Sequence, residues 1–390
     1  MNAIPLASVD YVFTGVGSQP ITFAFAYPKK LDVDKLRTSL GETLLHFPIL
    51  QSQLKQTSAT DYEFQIDEKG LTFEVVESNL LFAEAKRIEQ FITPVNSVVG
   101  EPLTQITLTQ TPDGSVLAVS ISHALVDGFS YFHFLSSWAR ICRGEPFLPP
   151  ALPCDFFVPH LLKPSAQTVT AEDVYHDCGL FWGEMRQPLH IGATQAEQFF
   201  ISAESIKNFM TEAKQQHNVS FSENDIVTAL LWQKYLPHWY QGEKAIKTFI
   251  TCPFDFRRVL TGFPKNYFGC ALCFATAAID LPDLRQATVG DLALLVRNSV
   301  SKIKDDFILH AFATLEQLRR QNGLKAMAKV HLRQPQSGMI VTNLSRLPIR
   351  EIDFSAGAPS NFLVYAEVSS SAAILPVAKG VAVLVVPPFK

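Results

Sequence analysis

Ser122-His123-Ala124-Leu125-Val126-Asp127-Gly128 stands where one side-chain period gives way to another. Upstream, residues 105–110 and 115–122 are strand-like runs on either side of the turn sequence Thr111-Pro112-Asp113-Gly114, which predicts a hairpin whose second strand runs directly into His123. Downstream, residues 129–142 read as a helix, and Gly128 permits the turn into it. Strand ends are where mixed α/β folds present reactive groups to a crevice. Imidazole suits that place as a general base, because its reference pKa of about 6.5 lets it take a proton and return it near neutral pH. Asp127 could orient the ring, or turn away and brace the loop through an arginine. The pattern also fits a buried histidine satisfied by backbone groups, with Asp127 as a turn residue.

Composition narrows what such a site could serve. The 390 residues are 47% hydrophobic and 18% charged, with 33 Lys+Arg against 37 Asp+Glu and a formal charge of −4, so no electrostatic footprint for nucleic acid is visible. No window of 18 uninterrupted apolar residues occurs, and Met1-Asn2-Ala3-Ile4-Pro5 lacks a basic region followed by an apolar stretch. The expectation is a cytoplasmic protein that does not bind membranes. Six irregularly spaced cysteines suit free thiols in a reducing compartment. Phenylalanine is the oddity: 30 residues, against 4 Trp and 9 Tyr. Phe carries no polar handle, so the excess predicts large apolar volume or an apolar tunnel wall.

Working outward, helical spacing of Leu36, Leu40 and Leu44 follows Asp32 or Asp34 as cap and stops at Pro48, and a strand is expected at 71–76. Six prolines between Pro146 and Pro164 exclude a helix or central strand there and predict a surface strap. A helical segment is expected at 171–184, then a crossover near 187–197 dividing the chain into halves 1–187 and 197–390. The second half opens with a strand at 197–202 and a helix at 203–216. Ser222-Glu223-Asn224-Asp225 and Thr288-Val289-Gly290-Asp291 are capping boxes for two further helices. Another helix is expected over 306–332, and strands at 338–343, 362–368 and 380–386.

Other chemistry-bearing patterns are weaker. Cys270-Ala271-Leu272-Cys273 lacks a second pair and lies in an apolar run, so structural thiols are expected rather than a metal or redox site. In His176-Asp177-Cys178 adjacent side chains diverge, and no metal is assigned. Gly15-Val16-Gly17 lacks the third glycine and following helix of a dinucleotide site.

Several segments together resemble the BAHD-type acyl-CoA-dependent acyltransferases of the chloramphenicol acetyltransferase and condensation-domain superfamily. In family order, residues 36–40 through Phe47-Pro48-Ile49-Leu50 resemble the first helix and its PLAGRL turn. His123–Gly128 matches HxxxDG, and Ser222, Asp225, Ala229 and Trp232 match S-x-x-D-x-x-x-A-x-x-W. Phe254-Asp255-Phe256-Arg257-Arg258 with Asn266-Tyr267-Phe268-Gly269 resembles the D-x-R and YFGN strands, and Asp353-Phe354-Ser355-Ala356-Gly357-Ala358-Pro359 the DFGWG-x-P motif.

The resemblance implies an α/β fold of two chloramphenicol-acetyltransferase-like domains, each a mixed sheet flanked by helices, with a channel between them. Residues 353–373 would cross back to the first sheet. It implies acyl transfer from an acyl-CoA co-substrate to a hydroxyl or amine of a small acceptor in a monomer with no permanently bound cofactor. His123 would be the general base. Asp127 would pair with Arg257 as architectural support, joined by Gly128 and Asp353. Thr342 and Asn343 are candidate oxyanion donors, and Phe129 and Phe268 candidate channel-lining residues. Ser355 and Ala356 replace the Gly and Trp of DFGWG, which implies an altered acceptor side, and Cys270 replaces the Asn of YFGN. Two alternatives stand beside this reading. A carrier-protein donor is disfavoured by Ser122 where condensation domains usually have a second histidine, and a non-catalytic relative by retention of His123, Asp127, Gly128 and Arg257.

Overall fold

Continuous apolar sequence makes the hairpin strand a central one: every residue of Gly114–Ser122 is buried, as a strand covered on both faces requires. The computed structural model describes residues 3–85, 87–152, 167–188, 196–240, 246–365 and 368–389. Gly114–Ser122 pairs antiparallel with Thr104–Thr111 on one side and with Pro20–Tyr27 on the other. The turn needs glycine, since a Cβ on Gly114 would lie 1.9 Å from the Tyr27 carbonyl oxygen. Leu71–Glu77 extends this sheet in parallel, and Asn361–Val364 closes its far edge against Pro20–Tyr27, giving five strands.

The second sheet has six strands in the order Leu272–Asp280, Lys247–Asp255, Gly338–Asn343, Ser371–Val377, Gly380–Val386, Glu197–Ser202. The chain therefore places 361–364 on the first sheet and 371–377 on the second. Ser371–Val377 was not expected as a strand, because Ser369–Ser371 and Pro376 interrupt its apolar run. Its parallel pairing with Gly338–Asn343 and antiparallel pairing with Gly380–Val386 hold it in place.

Local signals set most helix boundaries. Asp32 caps Val33–Leu44, Ser222 and Asp225 form the reciprocal box of Glu223–Trp239, and Thr288 with Asp291 does the same for Val289–Ser301. The expected helix over 171–184 is shorter. Ala171–Cys178 ends at Gly179 in the left-handed conformation, where a Cβ would meet the Phe274 carbonyl oxygen at 2.1 Å. Phe181–Trp182 then pairs with Val330–His331. The expected 306–332 helix divides at Gly323 into Asp305–Asn322 and Leu324–Met327. Of the strap and the crossover, residues 153–166 and 189–195 lie outside the described residues.

One continuous apolar core runs through both halves, with Trp138, Trp232, Phe25, Phe47, Phe132 and Phe256 among its fully buried side chains. No helix among the described residues is long and apolar enough to cross a membrane.

Candidate active site

His123 leaves the C-terminal end of its strand and reaches a channel of about 2100 Å³ walled by residues of both sheets. Its ring lies flat on Phe13, with centroids 4.1 Å apart and planes 9° apart. Nδ1 is buried and has no hydrogen-bond partner among the described residues. The ring also interacts with the backbone of its own residue, which favours its protonated form. Burial pushes the imidazole below its usual 6.5, opposed by that backbone contact and by the Asp127 charge. If the base form is the active one, activity rises as pH climbs through the histidine pKa. The acid limb of kcat/KM is therefore expected below pH 6.5, and a pH–rate profile checks it.

Asp127 turns away from the imidazole. Its carboxylate caps Gly128–Cys142 through the Ser130 amide at 2.9 Å and accepts from the Ala271 amide at 2.8 Å. Arg257 grips the same carboxylate with Nη1 at 2.6 Å and Nη2 at 3.0 Å, and both side chains are 1% exposed. The guanidinium also donates to the carbonyls of Tyr267 and Gly269 and to the Ser130 hydroxyl. Burial disfavours its charge, yet Asp127 carries its pKa above the usual arginine value. Of the two geometries left open for Asp127, the structure has the brace.

Gly128 lies at the channel wall with Leu347 3.8 Å from where its Cβ would be. Phe129 is 38% exposed there, and its ring carries the Arg257 guanidinium at 4.5 Å. Phe268 does not line the channel. It is fully buried, its ring 5.0 Å from Phe47, because the Tyr267 and Gly269 carbonyls on either side are aimed at Arg257 and direct its side chain into the core.

Thr342 and Asn343 end a parallel strand and both face the channel. The amide of Asn343 is committed: its Nδ2 donates to Asn224 at 2.9 Å, and its Oδ1 accepts from the Ser345 amide and hydroxyl. Thr342 is the better placed donor of the two. Asp353 and Ala356 are absent from the channel wall, so the altered DFGWG-like segment shapes no part of it among the described residues. Asp353 instead accepts from the Gly357 amide at 2.9 Å, beneath Phe354 packed on Trp138. Ser355, in glycine's place, holds φ of +69° and accepts from Lys35.

Some participants were missed in the sequence. Phe13 and Asp10 share a buried turn, Asp10–Phe13. One Asp10 oxygen accepts from the Ala7 amide at 2.7 Å and the other has no partner among the described residues, and burial raises its carboxyl well above the usual range. An acid inside the apolar run Val9–Phe13 was the available signal. Cys270 and Cys273 are buried free thiols with pKa values raised by burial. His176 pairs with Glu172, Asp177 accepts from Thr314 and Cys178 is buried, so the three side chains diverge.

The profile of the Transferase family matches residues 1–388. The chain is 24% identical over 362 residues to a hydroxycinnamoyl-CoA:5-hydroxyanthranilate N-hydroxycinnamoyltransferase of Avena sativa, covering 84% of this chain and 76% of that enzyme. It is 23% identical over 361 residues to the shikimate O-hydroxycinnamoyltransferase of Nicotiana tabacum, covering 85% and 78%. Among solved structures, F. graminearum TRI101 complexed with coenzyme A and T-2 mycotoxin has a similar fold, with TM-score 0.78, 15% identity and coverage of 99% and 95%. Vinorine synthase follows at TM-score 0.70, 19% identity and coverage of 99% and 90%.

Proposed function

This chain belongs to the Transferase family, the BAHD acyltransferases, and from that membership we propose that it transfers an acyl group from an acyl-CoA thioester to a hydroxyl or amine of a small acceptor. The observation that carries the reading is His123, open to a channel that both sheets line, with its loop fixed by the Asp127–Arg257 pair.

The acceptor's O–H or N–H gives its proton to Nε2 of His123 as the acceptor atom bonds to the thioester carbonyl carbon. The carbonyl π electrons move to oxygen, and Thr342 donates to that oxyanion, an interaction that typically contributes ~3–4 kcal/mol. Collapse re-forms the carbonyl and breaks the C–S bond, and the imidazolium returns its proton to the leaving thiolate. Holding donor and acceptor in one channel makes the encounter effectively unimolecular. Ser122, where condensation domains usually have a second histidine, is buried and bonds Ser97 at 2.7 Å, which favours a coenzyme A donor.

Release of free thiol, followed across aliphatic and aromatic acyl-CoAs with alcohols and amines, tests this. Acceptor-dependent release with at least one pair is expected. Tight acyl-CoA binding without release for any acceptor would overturn it.

A further inference from the structure

Gly15-Val16-Gly17, whose sequence lacks the pattern of a dinucleotide site, belongs to a seat beneath His123. Phe13 is 3% exposed, and its ring covers one face of His123. The carbonyls of Val12 and Thr14, one residue to either side, both accept from the Arg186 guanidinium, through Nη1 and Nη2 respectively. Arg186 comes from a segment tied to the second sheet's side of the molecule by its own amide, which donates to the Ala328 carbonyl at 3.0 Å. The two backbones also touch: Gly17 has φ of +72°, and a Cβ there would lie 2.3 Å from the Gln187 carbonyl oxygen. On its other flank the loop is held by the Gly15 amide donating to the Ser97 carbonyl at 2.7 Å, and Ser97 bonds Ser122 beside the histidine.

We propose that Arg186 is a positioning residue for acyl transfer: its guanidinium holds the carbonyls on both sides of Phe13 and so keeps the phenyl ring flat against the His123 imidazole. The seat does two things. It fixes the plane of the base, and it keeps water off one face of the ring. An arginine suits the task because its planar fork can hold two carbonyls at once, which an ammonium cannot do in that geometry. Among the described residues the guanidinium has no carboxylate partner, and burial brings its pKa down to about 10, still charged at neutral pH. Titratable groups on elements around the histidine include Asp127 with its partner Arg257, Asp255 beside them, and Asp10 one turn before Phe13.

The inference rests on His123 as the base, so His123→Ala is assayed alongside Arg186→Met, Arg186→Lys and Gly17→Ala. Misplacement of a reacting group by about 1 Å can cost 10²-fold. Arg186→Met is expected to lower kcat by about 10- to 100-fold with KM for donor and acceptor within about 3-fold. As water reaches the imidazole, the acid limb of the pH profile moves up toward the ordinary histidine value. Gly17→Ala is expected to move both readouts the same way by pushing the loop off Gln187, and Arg186→Lys to restore part of kcat. A merely structural arginine would change the folded fraction but neither kcat per folded molecule nor the limb, and that result would overturn the inference. So would a change confined to KM for anionic acceptors, which would make Arg186 a ligand for the acceptor. An inactive His123→Ala with wild-type Arg186→Met defeats this inference alone, whereas a fully active His123→Ala defeats the reading beneath it.

Discussion

His123→Ala is expected to fold like the parent and to transfer acyl groups about 10²- to 10⁴-fold more slowly, the usual contribution of a positioned general base. Folding survives because removing the imidazole strands no partner. Nδ1 bonds no other residue among those described, and the space vacated opens onto the channel, where water can enter. What is lost is the ring stack on Phe13, on the order of 1 kcal/mol. The chemical loss is larger because the carboxylate four residues on cannot replace the imidazole. Asp127 is consumed by Arg257, Ser130 and Ala271, and His133 bonds the Leu148 carbonyl. Residual activity would come from Thr342 and from the two substrates held side by side. Thiol release per folded molecule, with thermal unfolding as the control, gives the answer. Parent-like turnover in a folded His123→Ala protein is incompatible with the mechanism.

The parts of this site legible in the sequence are those that local patterns encode. The hairpin turn at 111–114, the capping boxes at Ser222 and Thr288, and the strand leading into His123 are short-range features, and each appears where its residues predicted it. Contacts between distant residues were reached only through the family resemblance. Arg257 lies 130 positions from Asp127, and no spacing rule connects them. Phe268 shows the limit of that route: a motif can bring a residue near the site without saying which way its side chain points, and backbone carbonyls committed to Arg257 decided the direction. Arg186 and Phe13 carried no signal, since one arginine after a short strand and one phenylalanine among 30 are ordinary until folded together.

The phenylalanine excess divides along the same line. Eight phenylalanines, Phe13, Phe23, Phe129 and Phe132 among them, reach the channel wall, while Phe25, Phe47, Phe64, Phe134, Phe256 and Phe268 fill the core without reaching it. The tunnel expectation therefore accounts for part of the excess, and large apolar volume for the remainder.

Asp127→Ala is expected to cost about 3–5 kcal/mol of stability, because it takes from a buried guanidinium the carboxylate that grips it twice and leaves only the part-exposed Asp255 as counter-charge. The loss has several parts that act together. The carboxylate accepts from Arg257 twice, caps Gly128–Cys142 through Ser130, and holds the Ala271 amide, so truncation orphans donors on three elements. Those elements belong to both halves, which means the pair fastens the histidine loop to the strand end that carries Arg257. Asp127→Asn keeps one acceptor and loses the charge, so it should fall between parent and alanine. Arg257→Lys should also be poor, since one ammonium cannot reproduce a two-pronged grip and three further bonds. Combining Asp127→Ala with Arg257→Met removes both charges, and its cost is expected to be smaller than the sum of the single changes. Denaturant unfolding of these four variants and of the Arg257→Met single variant measures this, with thiol release per folded molecule as a second readout. An Asp127→Ala protein as stable as the parent would show that the brace contributes nothing, and additive costs in the double variant would show that the two side chains act separately.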